Sequence, residues 1–145
     1  MTEFRRVTPD FAVAAQLQPG DFERAAAAGF TLVVCNRPDG EATGQPTEAQ
    51  MRAAAEAAGL TFMGLPFTGR TPPPGVVAGA AALLEAAKGP VLAYCRTGTR
   101  SITAWAMAQA LSGARRPEEI IELAQRAGYD LEGAREALET LAPRA

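Results

Sequence analysis

The chain has 145 residues, 14 basic and 16 acidic side chains, a net charge of −2 and 48% hydrophobic residues, enough for one domain with a real core. That charge balance gives no reason to expect nucleic acid or an anionic membrane as partner, so any anion affinity must be local. With no histidine and two cysteines, Cys–His and Ser–His–Asp catalysis are excluded, a protein-held zinc site is disfavoured, and neither a metal nor a cofactor is expected.

The first residues, Met1-Thr2-Glu3-Phe4-Arg5-Arg6, lack the apolar core of a secretion signal. No later run reaches the length of a membrane span, so the expectation is a soluble cytoplasmic protein. Residues 4–7 and 11–17 read as two short strands about the turn pair Pro9-Asp10. Residues 19–28 read as a helix, with Pro19 near its first turn and Gly29 as its left-handed stop. Residues 30–35 are a continuous apolar run, the pattern of a strand buried on both faces of a parallel sheet.

A loop by composition, Asn36-Arg37-Pro38-Asp39-Gly40-Glu41, follows at the end of that strand where open α/β sheets bind ligands. Thr47 and Gln50 form a capping-box pattern for a helix to about residue 58. Residues 60–66 read as a strand, and the proline-rich stretch 68–74 leads into a helix with Val76, Val77, Ala80, Leu83, Leu84 and Ala87 at helical spacing. The apolar run Val91-Leu92-Ala93-Tyr94 then reads as a strand delivering Cys95 to a polar loop, Arg96-Thr97-Gly98-Thr99-Arg100, with Ser101 opening a buried helix. Residues 117–127 and 131–141 form a helical hairpin, read as packing on the sheet, with partner binding as its other use. Alternating strands and helices call for one α/β domain over 1–145, a mostly parallel sheet of about five strands flanked by helices.

A strand that hands a thiol to a helix N-terminus aims backbone N–H groups and the positive end of the macrodipole at one point. Such sites favour anions and move a cysteine from its free pKa of about 8.5 to roughly 3.5–7.5, where the nucleophilic thiolate prevails. Arg100 adds a planar charge that can hold two oxygens of an oxyanion. The candidate catalytic set is therefore Cys95 as nucleophile, Arg100 as anion clamp and Ser101 as a hydroxyl tuning the sulfur. Arg96, Thr97, Gly98, Thr99 and Arg100 form the candidate anion cradle.

The string Cys95-Arg96-Thr97-Gly98-Thr99-Arg100-Ser101 resembles the active-site loop of single-domain rhodaneses. Together with Val7-Thr8-Pro9-Asp10-Phe11, Gln16-Leu17, Asn36-Arg37-Pro38-Asp39-Gly40-Glu41 and Ala127-Gly128-Tyr129-Asp130, it is similar to the phosphatase-like domain of beta-lactamase-hydrolase-like proteins. This second resemblance covers most of the chain and implies a protein-tyrosine-phosphatase-like fold. It also implies a separate partner, a metal-dependent hydrolase-type domain that oxidises persulfides.

Two chemistries compete. The spacing Cys95-x4-Arg100 is one residue shorter than the Cys-x5-Arg of the phosphatases this fold resembles, and looks like that of rhodaneses. The loop Phe67-Thr68-Gly69-Arg70-Thr71 has no carboxylic acid for a leaving oxygen, and Tyr94 replaces the histidine that usually precedes the phosphatase cysteine. The leading expectation is thus a sulfurtransferase that forms a persulfide at Cys95 from a small anionic donor, thiosulfate or polysulfide. The alternative is a phosphomonoester hydrolase acting through a phosphocysteine; a third is a non-catalytic anion- or sulfide-sensing module. Three residues have supporting readings: Arg37 as a second positive charge or a surface arginine, Asp39 as a turn residue or an acid, and Cys35 as a buried thiol or a redox partner of Cys95.

Overall fold

A computed structural model describes residues 1–144. The antiparallel pair β1 (Arg5–Thr8) and β2 (Phe11–Ala14) turns at Pro9-Asp10, where Thr8 Oγ1 accepts from the Asp10 N–H at 3.1 Å. Helix α1 (Asp21–Ala27), strand β3 (Leu32–Cys35), helix α2 (Glu48–Ala57), strand β4 (Thr61–Gly64), helix α3 (Pro74–Ala86) and strand β5 (Val91–Tyr94) follow. The chain ends with α4 (Thr99–Ser112), α5 (Pro117–Arg126), a 3-10 turn over Glu132–Ala134, and α6 (Arg135–Leu141).

The five strands form one sheet in the order β1-β2-β5-β3-β4, parallel except for the β1–β2 pair. β5 is central, and its residues Val91, Leu92, Ala93 and Tyr94 are all buried because helices cover both faces. On one face Val13, Val34, Val91 and Ala93 pack with Ile102, Trp105 and Ile120; on the other Ala14, Val33, Leu92 and Tyr94 pack with Phe22, Met51 and Phe62. Period-two alternation along each strand sorts neighbours onto opposite faces. Phe11 of β2 stacks on Trp105 of α4, ring centroids 5.4 Å apart, which fixes the central helix over the sheet.

The capping box is present: Thr47 Oγ1 accepts from Gln50 N–H, and Gln50 Oε1 accepts from Thr47 N–H. The expected strands over 11–17, 30–35 and 60–66 are longer than the observed β2, β3 and β4, although Thr31 N–H still donates to Pro90 O and Leu65 N–H to Cys35 O at the strand ends. Likewise the expected helix over 131–141 breaks into a 3-10 turn before α6. The C-terminal hairpin contacts α4 and β1 more than the sheet's face, because α4 already occupies that face.

Candidate active site

The parallel strands β2, β5, β3 and β4 end along a common edge at Ala14, Tyr94, Cys35 and Gly64. Cys95 is the first residue beyond β5, 1% exposed, and its backbone N–H donates to Ala14 O. The chain then turns through Arg96 and Thr97 to Gly98, whose φ of 94° is left-handed and suits glycine. Gly98 N–H donates to Cys95 Sγ at 3.1 Å. Helix α4 begins at the next residue, two positions earlier than Ser101 had suggested, and its first-turn N–H groups lack intrahelical acceptors. One of them, Thr99 N–H, donates to Thr97 Oγ1. A thiol at a helix N-terminus, receiving a backbone amide, is the arrangement that favours a sulfur anion.

The loop is tied to its surroundings. Arg96 O accepts from Gln16 N–H beyond β2, while the Arg96 side chain is exposed. Tyr129 Oη donates to Thr97 O at 3.0 Å from the end of α5.

Arg100, the expected anion clamp, is paired within the chain. Its Nη1 and Nη2 donate to the two carboxylate oxygens of Glu41 at 2.9 and 2.7 Å, and Nη1 also donates to Phe67 O at 3.0 Å. The Glu41 hydrogen bonds hold the guanidinium's pKa above its ordinary value, and its proximity to Cys95 Sγ adds to that. Glu41 in turn is held down to about 2, chiefly by the Arg100 hydrogen bonds and then by the one from Arg37. It is a permanent carboxylate at neutral pH.

Arg37 is buried, 6% exposed, and paired on two sides: Nε donates to Glu41 Oε1 at 2.8 Å and Nη1 to Gln16 Oε1 at 3.0 Å. It is neither a surface arginine nor a spare charge; it anchors Glu41. Asp39 Oδ1 accepts from Glu48 N–H at 2.8 Å, so this carboxylate helps cap α2 while Gly40 takes φ 77° in the turn.

Ser101 does not touch the sulfur. Its hydroxyl is fully buried and has no hydrogen-bond partner, facing a small space lined by Asn36, Ala93 and Trp105, and the Gly98 amide takes the role assigned to it. Cys35 pairs in register with Tyr94, so its side chain shares Tyr94's face of the sheet. Its thiol donates to Arg37 O at 3.3 Å, and desolvation raises its pKa. Both cysteines are free and buried. Among the described residues no group of three or more Cys, Asp or Glu side chains is placed to hold a metal ion, and no helix is long and apolar enough to cross a membrane.

Glu41 and Tyr129 are the residues whose roles sequence reasoning missed. Glu41 meets Arg100 across 59 positions, which no local pattern reports. Tyr129 was marked only by the Ala127-Gly128-Tyr129-Asp130 string.

A thiol on the carboxyl edge of a mostly parallel five-stranded sheet, at the mouth of a helix and beside an arginine, defines a cysteine-based, protein-tyrosine-phosphatase-like fold. Solved structures agree. A crystal structure from Neisseria meningitidis described as a candidate phosphatase superposes with a TM-score of 0.81 at 39% identity, covering 94% of this chain and 96% of that one. Tk-PTP in its active form (TM-score 0.71, 18% identity, 98% and 97% covered) shares the fold, as does PTPMT1 in complex with PI(5)P (0.71, 18%, 95% and 93%).

The family model for the phosphatase-like domain of beta-lactamase hydrolase-like protein matches residues 3–112, and the chain belongs to that family. The beta-lactamase hydrolase-like protein of Agrobacterium fabrum is 34% identical over 126 residues, 87% of this chain and 29% of the relative. Its namesake in Xylella fastidiosa is 28% identical over 83% of this chain and 28% of that protein. The chain thus spans less than a third of the length of these relatives.

Proposed function

We propose that the chain is a cysteine-dependent phosphomonoester hydrolase, replacing sulfur transfer as the leading reading. The observation that carries this is Cys95 Sγ, held by the Gly98 amide at the N-terminus of α4 with Arg100 alongside. Family membership and the phosphatase-like neighbours weigh the same way. The thiolate attacks phosphorus, an S–P bond forms and the ester P–O bond breaks. Water then attacks phosphorus, the S–P bond breaks, and inorganic phosphate leaves with the thiolate regenerated.

The leaving oxygen needs a proton, and among the described residues no loop carboxylic acid is free to give one. Glu41 is ionised, Asp39 is committed to the α2 cap, and the stretch from Phe67 to Thr71 carries no acid. Solvent therefore protonates the leaving group, and esters of acidic alcohols are the favoured substrates. Aryl phosphates should turn over far faster than alkyl phosphates, and Cys95→Ser should abolish both activities. Equal rates on the two ester types, or activity surviving in Cys95→Ser, would overturn the proposal.

A second reading keeps one observation in its favour. Only four residues separate Cys95 from Arg100, a tight cradle that suits a smaller sulfur-transfer step. In it Cys95 accepts sulfane sulfur from thiosulfate, releasing sulfite, and passes it to an acceptor thiol; a metal-dependent hydrolase-type partner that oxidises persulfides would lie downstream. Sulfite release from thiosulfate, in samples inert to aryl phosphates, would favour it.

A further inference from the structure

Tyr129 lies outside the segment matched by the family model, yet it reaches the nucleophile's loop. Its position follows from the end of α5. Ala127-Gly128-Tyr129 closes that helix as a Schellman motif: Gly128, at φ 97°, donates its N–H to Gln125 O at 3.0 Å, and Tyr129 N–H donates to Ala124 O at 2.9 Å. Arg5 of β1 stabilises the turn, donating to Ala127 O at 3.2 Å with its guanidinium 5.7 Å from the Tyr129 ring centroid. The ring packs, partly buried, against the core cluster beneath α4.

That hydroxyl donates to Thr97 O at 3.0 Å, and the Gly98 N–H donates to Cys95 Sγ at 3.1 Å. Thr97 C=O and Gly98 N–H belong to one peptide unit. In a trans peptide they point in opposite directions, so holding the carbonyl outward holds the N–H toward the sulfur. Gly98 also leaves room for the arrangement, because a Cβ there would collide with the Tyr129 hydroxyl. Without the anchor the peptide can rotate and present its carbonyl oxygen to the site, which would repel a thiolate and an incoming anion alike.

We propose that Tyr129 is a positioning residue that fixes the Thr97–Gly98 peptide so that its N–H faces the Cys95 sulfur. The inference rests on Cys95 being the nucleophile and holds for attack on phosphorus or on sulfur. Its test therefore reads the thiol and the peptide, without turnover. Tyr129→Phe keeps the ring and its packing and removes only the donor.

The pH profile of Cys95 alkylation by iodoacetamide is measured in wild type and Tyr129→Phe, with the Gly98 amide followed by 1H–15N spectroscopy and folding checked by thermal melt. The expected result is a profile displaced to higher pH, alkylation roughly two- to tenfold slower below the midpoint, and a displaced Gly98 amide resonance. Either readout unchanged in folded Tyr129→Phe would overturn the proposal. Failure of wild type to hydrolyse any phosphate ester would count against the phosphatase reading and leave this result standing.

Discussion

Glu41→Gln removes the charge that holds Arg100 and Arg37 together while keeping the side chain's shape. The lost pair is half-sheltered, with side-chain exposures of 25% for Glu41, 16% for Arg100 and 6% for Arg37. Exposed ion pairs contribute about 0–1 kcal/mol, while removing one partner of a buried pair costs about 3–5 kcal/mol. The solvent reaching Glu41 screens the pair, so the expected loss is about 1–3 kcal/mol. In a chain of this length each kcal/mol moves the melting temperature about 3–5 °C, which predicts a drop of roughly 3–15 °C near neutral pH.

Acid titration separates this mechanism from a packing defect. The folded Glu41 carboxyl lies at about 2 against an ordinary value of 4.5. Its stabilisation is fully present above the unfolded pKa and is lost as the pH falls through the folded one. The melting difference between wild type and Glu41→Gln should stay constant from about pH 7 to about pH 5 and close toward about pH 2. Equal melting temperatures at neutral pH would refute the reasoning, as would a difference that persists undiminished below about pH 2.

Gly98→Ala places a side chain at φ 94° and against the Tyr129 hydroxyl, and should cost roughly 1–3 kcal/mol by chemical denaturation together with most turnover. Asp39→Ala should lose about 0.5–1 kcal/mol of helix capping, read by thermal melt, with turnover within about twofold of wild type. A collapse of its turnover, with loss of the basic limb of the pH–rate profile, would restore Asp39 as the acid. Cys35→Ala should retain activity in a steady-state assay, since Cys35 shares Tyr94's face of the sheet; in wild-type protein, peptide mapping after mild alkylation should find Cys95 modified and Cys35 spared.

Local rules carried the fold a long way. The Thr47–Gln50 capping box and the glycine stop at Gly29 are contacts or dihedrals within a few residues, and each appears in the structure. The unbroken apolar runs of β3 and β5 reported burial on both faces and hence a parallel interior. Strand ends were less legible, because Phe30 and Leu60 are buried beside the ladder without pairing in it, and apolar pattern records burial alone.

The Cys95 loop was legible for the same local reason: strand, thiol, glycine and helix start are consecutive. Its regulation by long-range partners was not. Arg100 looked free because Glu41 lies 59 positions away, and Ser101 looked close to the sulfur because it is near in sequence, although it faces the buried space beside Trp105. Arg37, beside Asp39 and Glu41 in a polar loop, gave no sign of its burial, which depends on Gln16 accepting its second bond.

Intact mass spectrometry of rapidly quenched wild type and Cys95→Ser, after separate exposure to an aryl phosphate and to thiosulfate, tests the central claim most directly. The phosphatase account predicts one phosphoryl group on wild type in the first sample, mapping to the Cys95 peptide and absent from Cys95→Ser. A single sulfur added to Cys95 in the second sample, with no phosphoryl adduct and no phosphate release in the first, would contradict it.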